Sequence, residues 1–151
     1  MAADDKDDLE AISALLPRLL ASFQRAAARD LAGYGLTIPQ FRTLRVLDQA
    51  GGECSMGSLA GAVMQSAAAM TGIVDRLLAR DLVTRERYPQ DRRSVVVRLT
   101  DHGRALLAEA DRNHRRQEQR LLRSLSPEER RCIRAVLSKL IEALEAGEET
   151  P

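Results

Sequence analysis

With 151 residues, 44% of them apolar and 30% charged, the chain has the composition of a single folded domain, not of a disordered segment. A net charge of +1 excludes a polyanion-coating protein, and 3% aromatic residues with no Trp leave the core to Leu, Val, Ile and Ala. Two cysteines make no disulfide framework, no basic flank precedes an apolar signal stretch, and no apolar run spans a bilayer, so a cytoplasmic protein without cofactor, metal or membrane partner is expected.

Residues 1–8 carry Asp4, Asp5, Asp7 and Asp8 and read as a disordered acidic tail. From Leu9, apolar residues recur at Ile12, Leu16, Leu19, Phe23 and Ala26, a helical period that ends at Gly33 and Gly35. Thr37-Ile38-Pro39-Gln40 is a capping box, opening a second helix that carries Phe41, Leu44, Val46 and Leu47 and stops at Gly51-Gly52. A short third helix is predicted over about Ser55 to Val63. Met64 and Gln65 form a turn, and Ser66 caps a fourth helix reaching about Arg80, which buries Met70, Ile73, Val74, Leu77 and Leu78. Two helices across so short a turn make a helix-turn-helix.

The period then changes. Val83, Arg85 and Arg87 alternate with Thr84, Glu86 and Tyr88; after the charged tip Pro89-Gln90-Asp91-Arg92-Arg93 comes Val95-Val96-Val97-Arg98-Leu99. This is a β-hairpin. Thr100 caps a long Arg-rich fifth helix, and Ser126-Pro127-Glu128-Glu129 opens a sixth with Ile133, Leu137, Leu140, Ile141 and Leu144 on one face. Residues 147–151 are a tail. Thin Ala-rich helices bury little alone, so a homodimer is expected.

A helix-turn-helix followed at once by a charged hairpin suits double-stranded DNA. The second helix enters the major groove, its N-terminal dipole favours phosphate, and arginines at a hairpin tip reach backbone or minor groove. The run VDRLLARDLVTRERYPQDRRSVVVRLTDHG (Val74 to Gly103), with LTIPQFRTLRVL and SLAGAV upstream, resembles the MarR family of bacterial regulators. The combination of Asp91-Arg92-Arg93 with Leu99-Thr100-Asp101-His102-Gly103 is the specific part of that likeness.

The resemblance implies a mainly α fold with a small β-hairpin wing. Within a domain over 9–146, a winged helix-turn-helix (37–100) joins dimerisation helices (9–34 and 101–146). It further implies a pseudo-palindromic operator, and repression released by a small aromatic or phenolic effector. Candidate DNA-binding residues are Gln65, Ser66, Ala67, Ala69, Met70, Thr71, Arg76, Arg85, Asp91, Arg92 and Arg93. Asp91 resembles the carboxylate that braces the wing, Arg93 the arginine that enters the minor groove, and Arg92 a phosphate contact. Phe23, Tyr34, Phe41 and Met70, with Arg42 or Arg45 as anion partner, are the candidate effector site. One departure stands out: where the family often has Arg after Thr71, this chain has Gly72, and the helix opens on three alanines.

Two other readings remain at this point. A thiol-based oxidant sensor would use Cys54 or Cys132, although neither lies near the start of the first helix, where sensing relatives carry theirs. A winged helix can also be a protein-interaction scaffold. An enzyme is not expected: there is no phosphate-cradling glycine loop, and two histidines support neither a triad nor a metal cluster. The arginines Arg112, Arg115, Arg116, Arg120 and Arg123, beside Glu109 and Glu118, read as a solvated, salt-bridged stripe.

Overall fold

Helix starts in this chain are set by side chains that answer orphan backbone N–H groups. In the computed structural model, which describes residues 2–87 and 95–148, the box at Thr37 is closed. Thr37 Oγ1 accepts from the Gln40 amide at 3.4 Å, and Gln40 Oε1 accepts from the Thr37 amide at 2.8 Å. The order is α1 (Ala2–Ala32), α2 (Ile38–Gln49), β1 (Glu53–Ser55), α3 (Met56–Ala62), α4 (Ala67–Leu78), β2 (Val83–Arg87), β3 (Val95–Leu99), α5 (Asp101–Arg123) and α6 (Pro127–Glu148). Among the described residues, no single helix is long and apolar enough to cross a membrane.

The chain forms two compact units, residues 1–112 and 113–151. In the first, α2, α3, α4 and a three-stranded sheet close around Leu44, Leu47, Leu59, Val74, Leu77, Leu82 and Val97, all fully out of water. The sheet order is β1-β3-β2, antiparallel throughout, with Val83 opposite Leu99 and Cys54 opposite Val97. β1 is an addition to the expected hairpin. Three residues are too few to show a strand period, and their partners lie more than forty positions on.

Helix α1 begins at Ala2, so the acidic stretch expected to be a tail is its first two turns. Within its second turn Lys6 lies 3.9 Å from Glu10, one turn on. Pro17 lies inside this helix, which therefore lacks one main-chain hydrogen bond there. α1 ends in paired bonds, from the Gly35 amide to Ala32 O and the Leu36 amide to Leu31 O, both 3.0 Å, with Gly35 at φ +64°. In the second unit, Ser126 and Glu129 exchange side-chain-to-amide bonds at 3.2 and 2.7 Å, and Arg130 donates to Leu125 O at 2.8 Å. Accepting the Ser126 amide, and then its hydroxyl, holds the Glu129 carboxyl below the ordinary carboxylate range.

Candidate nucleic-acid interface

Ser55 and Ser66 each cap a helix, accepting the Ser58 and Ala69 amides at 3.1 and 3.2 Å. Between them the chain turns through Met64, at φ +54°, and the axes of α3 and α4 break by 105°. That angle is within the range of a DNA-reading helix-turn-helix. The turn is held by the Gln65 amide on Ala60 O at 2.8 Å and the Met64 amide on Gly61 O at 3.1 Å.

Helical spacing divides α4 cleanly. Met70, Ile73, Val74 and Leu77 enter the core, while Ser66, Ala67, Ala68, Ala69, Thr71, Asp75 and Arg76 stay exposed. Met70, 1% exposed, corrects the expectation that placed it on the DNA-binding face: a side chain sealed in the core offers nothing to a groove. Gln65 is half-buried and donates to Met64 O at 3.2 Å; the Thr71 hydroxyl donates to Ala67 O at 2.9 Å. From Ser66 to Thr71 the outer face is thus short-chained. A Cβ added to Gly72 would meet nothing within 4 Å, so the chain's own packing leaves that position open.

The sheet beside it is charged and internally tied. Arg85, on β2, donates to Asp75 Oδ1 of α4 at 2.8 Å, fixing hairpin against helix. Arg98, on the central strand β3, bridges both neighbouring strands: Nε to Glu53 Oε2 at 2.7 Å and Nη1 to Glu86 Oε2 at 2.8 Å. Asp91, Arg92 and Arg93 lie outside the described residues. At the hairpin base, the Thr100 hydroxyl donates to Asp81 O at 2.7 Å and accepts the Gly103 amide at 2.9 Å. A Cβ on Gly103 would land against the Leu82 carbonyl, so only glycine lets α5 start this close to the turn after α4. The physical content of the Leu99-Thr100…Gly103 motif is that weld.

Sequence reasoning missed two arginines. Arg98 needs β1 to be known before its double role is visible. Arg80, just past α4, donates from Nη2 to Tyr34 O at 2.9 Å and from Nη1 to Gly35 O at 2.5 Å, contacts 46 and 45 residues away in the chain. No local pattern announces either.

The candidate effector residues scatter. Phe41 and Met70 share the core, 4% and 1% exposed, and Tyr34 packs half-buried against it. The Arg45 guanidinium lies 5.7 Å from the Phe41 ring centre, but its Nε is already 3.6 Å from Asp111 Oδ1. Phe23 and Arg42 are exposed. Both thiols are free, Cys54 half-buried on β1 and Cys132 exposed on α6. Along α5, Glu118 pairs with His114 at 3.3 Å.

Comparison with known proteins follows the same outline. A profile of the MarR family matches residues 36–95. The chain is 39% identical over 108 residues to the HTH-type transcriptional repressor NicR of Pseudomonas putida, covering 72% of this chain and 68% of that one. A transcriptional repressor of Mycobacterium tuberculosis (strain H37Rv) is 32% identical over 126 residues, 83% of this chain and 90% of its own length. Among solved structures, a MarR family protein from Bacillus stearothermophilus superposes with TM-score 0.80 at 26% identity, covering 93% of this chain and 97% of that one.

Proposed function

Since the chain belongs to the MarR family of transcriptional regulators, we propose that it is a cytoplasmic repressor that holds a pseudo-palindromic operator as a homodimer and lets go when a small aromatic or phenolic effector binds. The observation that carries the DNA half is the exposed start of α4, set at 105° to α3 by two serine caps and tied to a charged hairpin. Ser66, Ala67, Ala69 and Thr71 face the major groove with Gln65 at their edge, and Arg76 takes a phosphate. Arg85 acts one step back, bracing α4 through Asp75. In the wing, Arg93 enters the minor groove with Asp91 bracing it, and Arg92 takes a phosphate.

Support for the homodimer is apolar surface. Leu9, Ile12, Leu16 and Leu19 on α1 are each more than half exposed, as are Leu137 and Ile141 on α6. Uncovered rows of this kind mark an interaction surface. The effector half rests on family resemblance and on Tyr34 packed against the core that holds Phe41, with Arg45 beside the Phe41 ring.

Titration against DNA from the protein's own promoter region and against scrambled DNA tests the reading. Affinity for both should fall by about a thousandfold or more from roughly 50 to 200 mM salt if six or more phosphates are engaged. Half-site centres should lie about 10 bp apart. Arg93→Ala should weaken operator binding by about 1–3 kcal/mol, whereas Arg92→Ala should weaken all DNA alike. A scaffold without DNA function would show no such binding at any salt. A panel of phenolic acids added to the complex tests the effector half: release by none of them rejects it.

A further inference from the structure

We infer that Arg80 is a positioning residue: it fixes the angle at which α4 is carried by the end of α1, and so determines how strictly a dimer discriminates the spacing of its half-sites. The inference rests on the dimeric DNA-binding reading above.

Most of what holds α4 in place is aliphatic. Met70, Ile73, Val74 and Leu77 are buried, and burial of this kind is strong but has no preferred direction. Arg80 is different. Its two terminal nitrogens donate to two consecutive carbonyls, Tyr34 O at 2.9 Å and Gly35 O at 2.5 Å. A planar guanidinium makes both bonds only from one orientation, so a rotation of α4 costs at least one of them.

The two carbonyls belong to the closing turn of α1, itself rigid. Leu31 and Leu36, joined across that turn by the Leu36 amide on Leu31 O, are 2% and 3% exposed. Gly35 contributes room as well as its positive φ, for a Cβ there would stand 3.3 Å from Arg80 Nη1. Upstream, α1 carries the exposed row Leu9, Ile12, Leu16 and Leu19 that a second copy would cover. The Arg80 fork therefore ties the closing turn of α1, the helix that carries this row, to the end of the DNA-reading helix. One base pair of altered spacing moves a half-site by ~3.4 Å and turns it by ~34°. A stiff link refuses that change; a link made of aliphatic contacts alone accommodates it.

The test uses the full chain and duplexes carrying its two half-sites at the best spacing, at spacings one and two base pairs either side, and a single half-site. The natural protein should prefer one spacing. Arg80→Ala should lose about tenfold on the best-spaced duplex, the scale of a charge-assisted bond, and less than about twofold on the others, flattening the profile. Arg80→Lys keeps charge and stem but cannot fork. It should flatten the profile in part, and carries the test if the alanine variant does not fold. Gly35→Ala, pressing on Nη1, should flatten the profile alone and add little on top of Arg80→Ala. Equal losses at every spacing and on the single half-site, or an unchanged profile, overturn the inference while leaving the regulator reading intact. Absence of DNA binding, or of any spacing preference, in the natural protein overturns both.

Discussion

Leu44 on α2 and Leu137 on α6 are both leucines on the apolar side of an amphipathic helix, yet the first is fully out of water and the second is 52% exposed. The winged body from α2 to β3 closes a core within one chain. The apolar rows of α1 and α6 are left in water. An exposed leucine taken singly means little, but rows on helices of 31 and 22 residues are a different matter. The difference separates a region that closes its own core from one that, on the proposed dimer, a second copy would cover: stability of the body should be independent of protein concentration, and that of the terminal rows should not.

Charge placed in an open row should have the largest effect. Leu16→Asp or Ile141→Asp removes an apolar contact twice over in a two-fold interface, about 3–6 kcal/mol. Sedimentation should show the dimer dissociation constant rising by at least about a hundredfold, with the helical circular dichroism of the body kept. Loss of all folded signal would mean that the body does not stand alone. Leu44→Ala is the converse. It should cost about 2–5 kcal/mol of unfolding free energy, and denaturant midpoints at two concentrations tenfold apart should shift by the same amount.

Smaller still is the loss of a cap: Thr37→Ala should destabilise the body by about 1 kcal/mol and leave dimer affinity unchanged. At Glu129 the carboxylate is the bonded form, so its contribution is present above the ordinary carboxylate pKa and is lost as pH falls through the depressed one. Carbon chemical shifts should place Glu129's midpoint below the ordinary glutamate range, and the start of α6 should loosen as pH falls through that midpoint; an ordinary midpoint would refute the Ser126 bond in solution. Last, Cys54→Ser combined with Cys132→Ser should change neither DNA affinity nor its response to peroxide. Release of the natural protein alone by peroxide would establish a thiol sensor instead.

Wherever one side chain acts on its own neighbourhood, the sequence was enough to read the element. Thr37, Ser66, Thr100 and Ser126 each cap within three residues, and β2 and β3 pair with each other over five residues apiece across a short connection. What stayed hidden depends on distant partners: the short strand β1, the Arg98 clasp across three strands and the Arg80 fork. Met70 shows a different limit. Its place in the i, i+3, i+4, i+7 row with Ile73, Val74 and Leu77 marked it as core, while its place early in the reading helix suggested a DNA contact. Packing decides between the two, since one side chain cannot face both ways. The proposed DNA face was legible as an element with an exposed side, not as individual contacts, because Gly72 and the three alanines carry few groups whose chemistry names a base.

The pairing of β1 with β3 also bears on how the chain assembles. β2 and β3 are joined by seven intervening residues, 88–94, so their ladder closes a short loop at little entropic cost. Glu53 must instead find Arg98 across a segment that holds α3, α4 and the whole hairpin. Local hairpins form in microseconds, whereas distant pairings wait for the chain between them to order. On that account β1 is expected to pair after the hairpin, onto an edge already made. As the chain leaves the ribosome, its helix-turn-helix emerges complete before Arg98 is available to clasp the sheet.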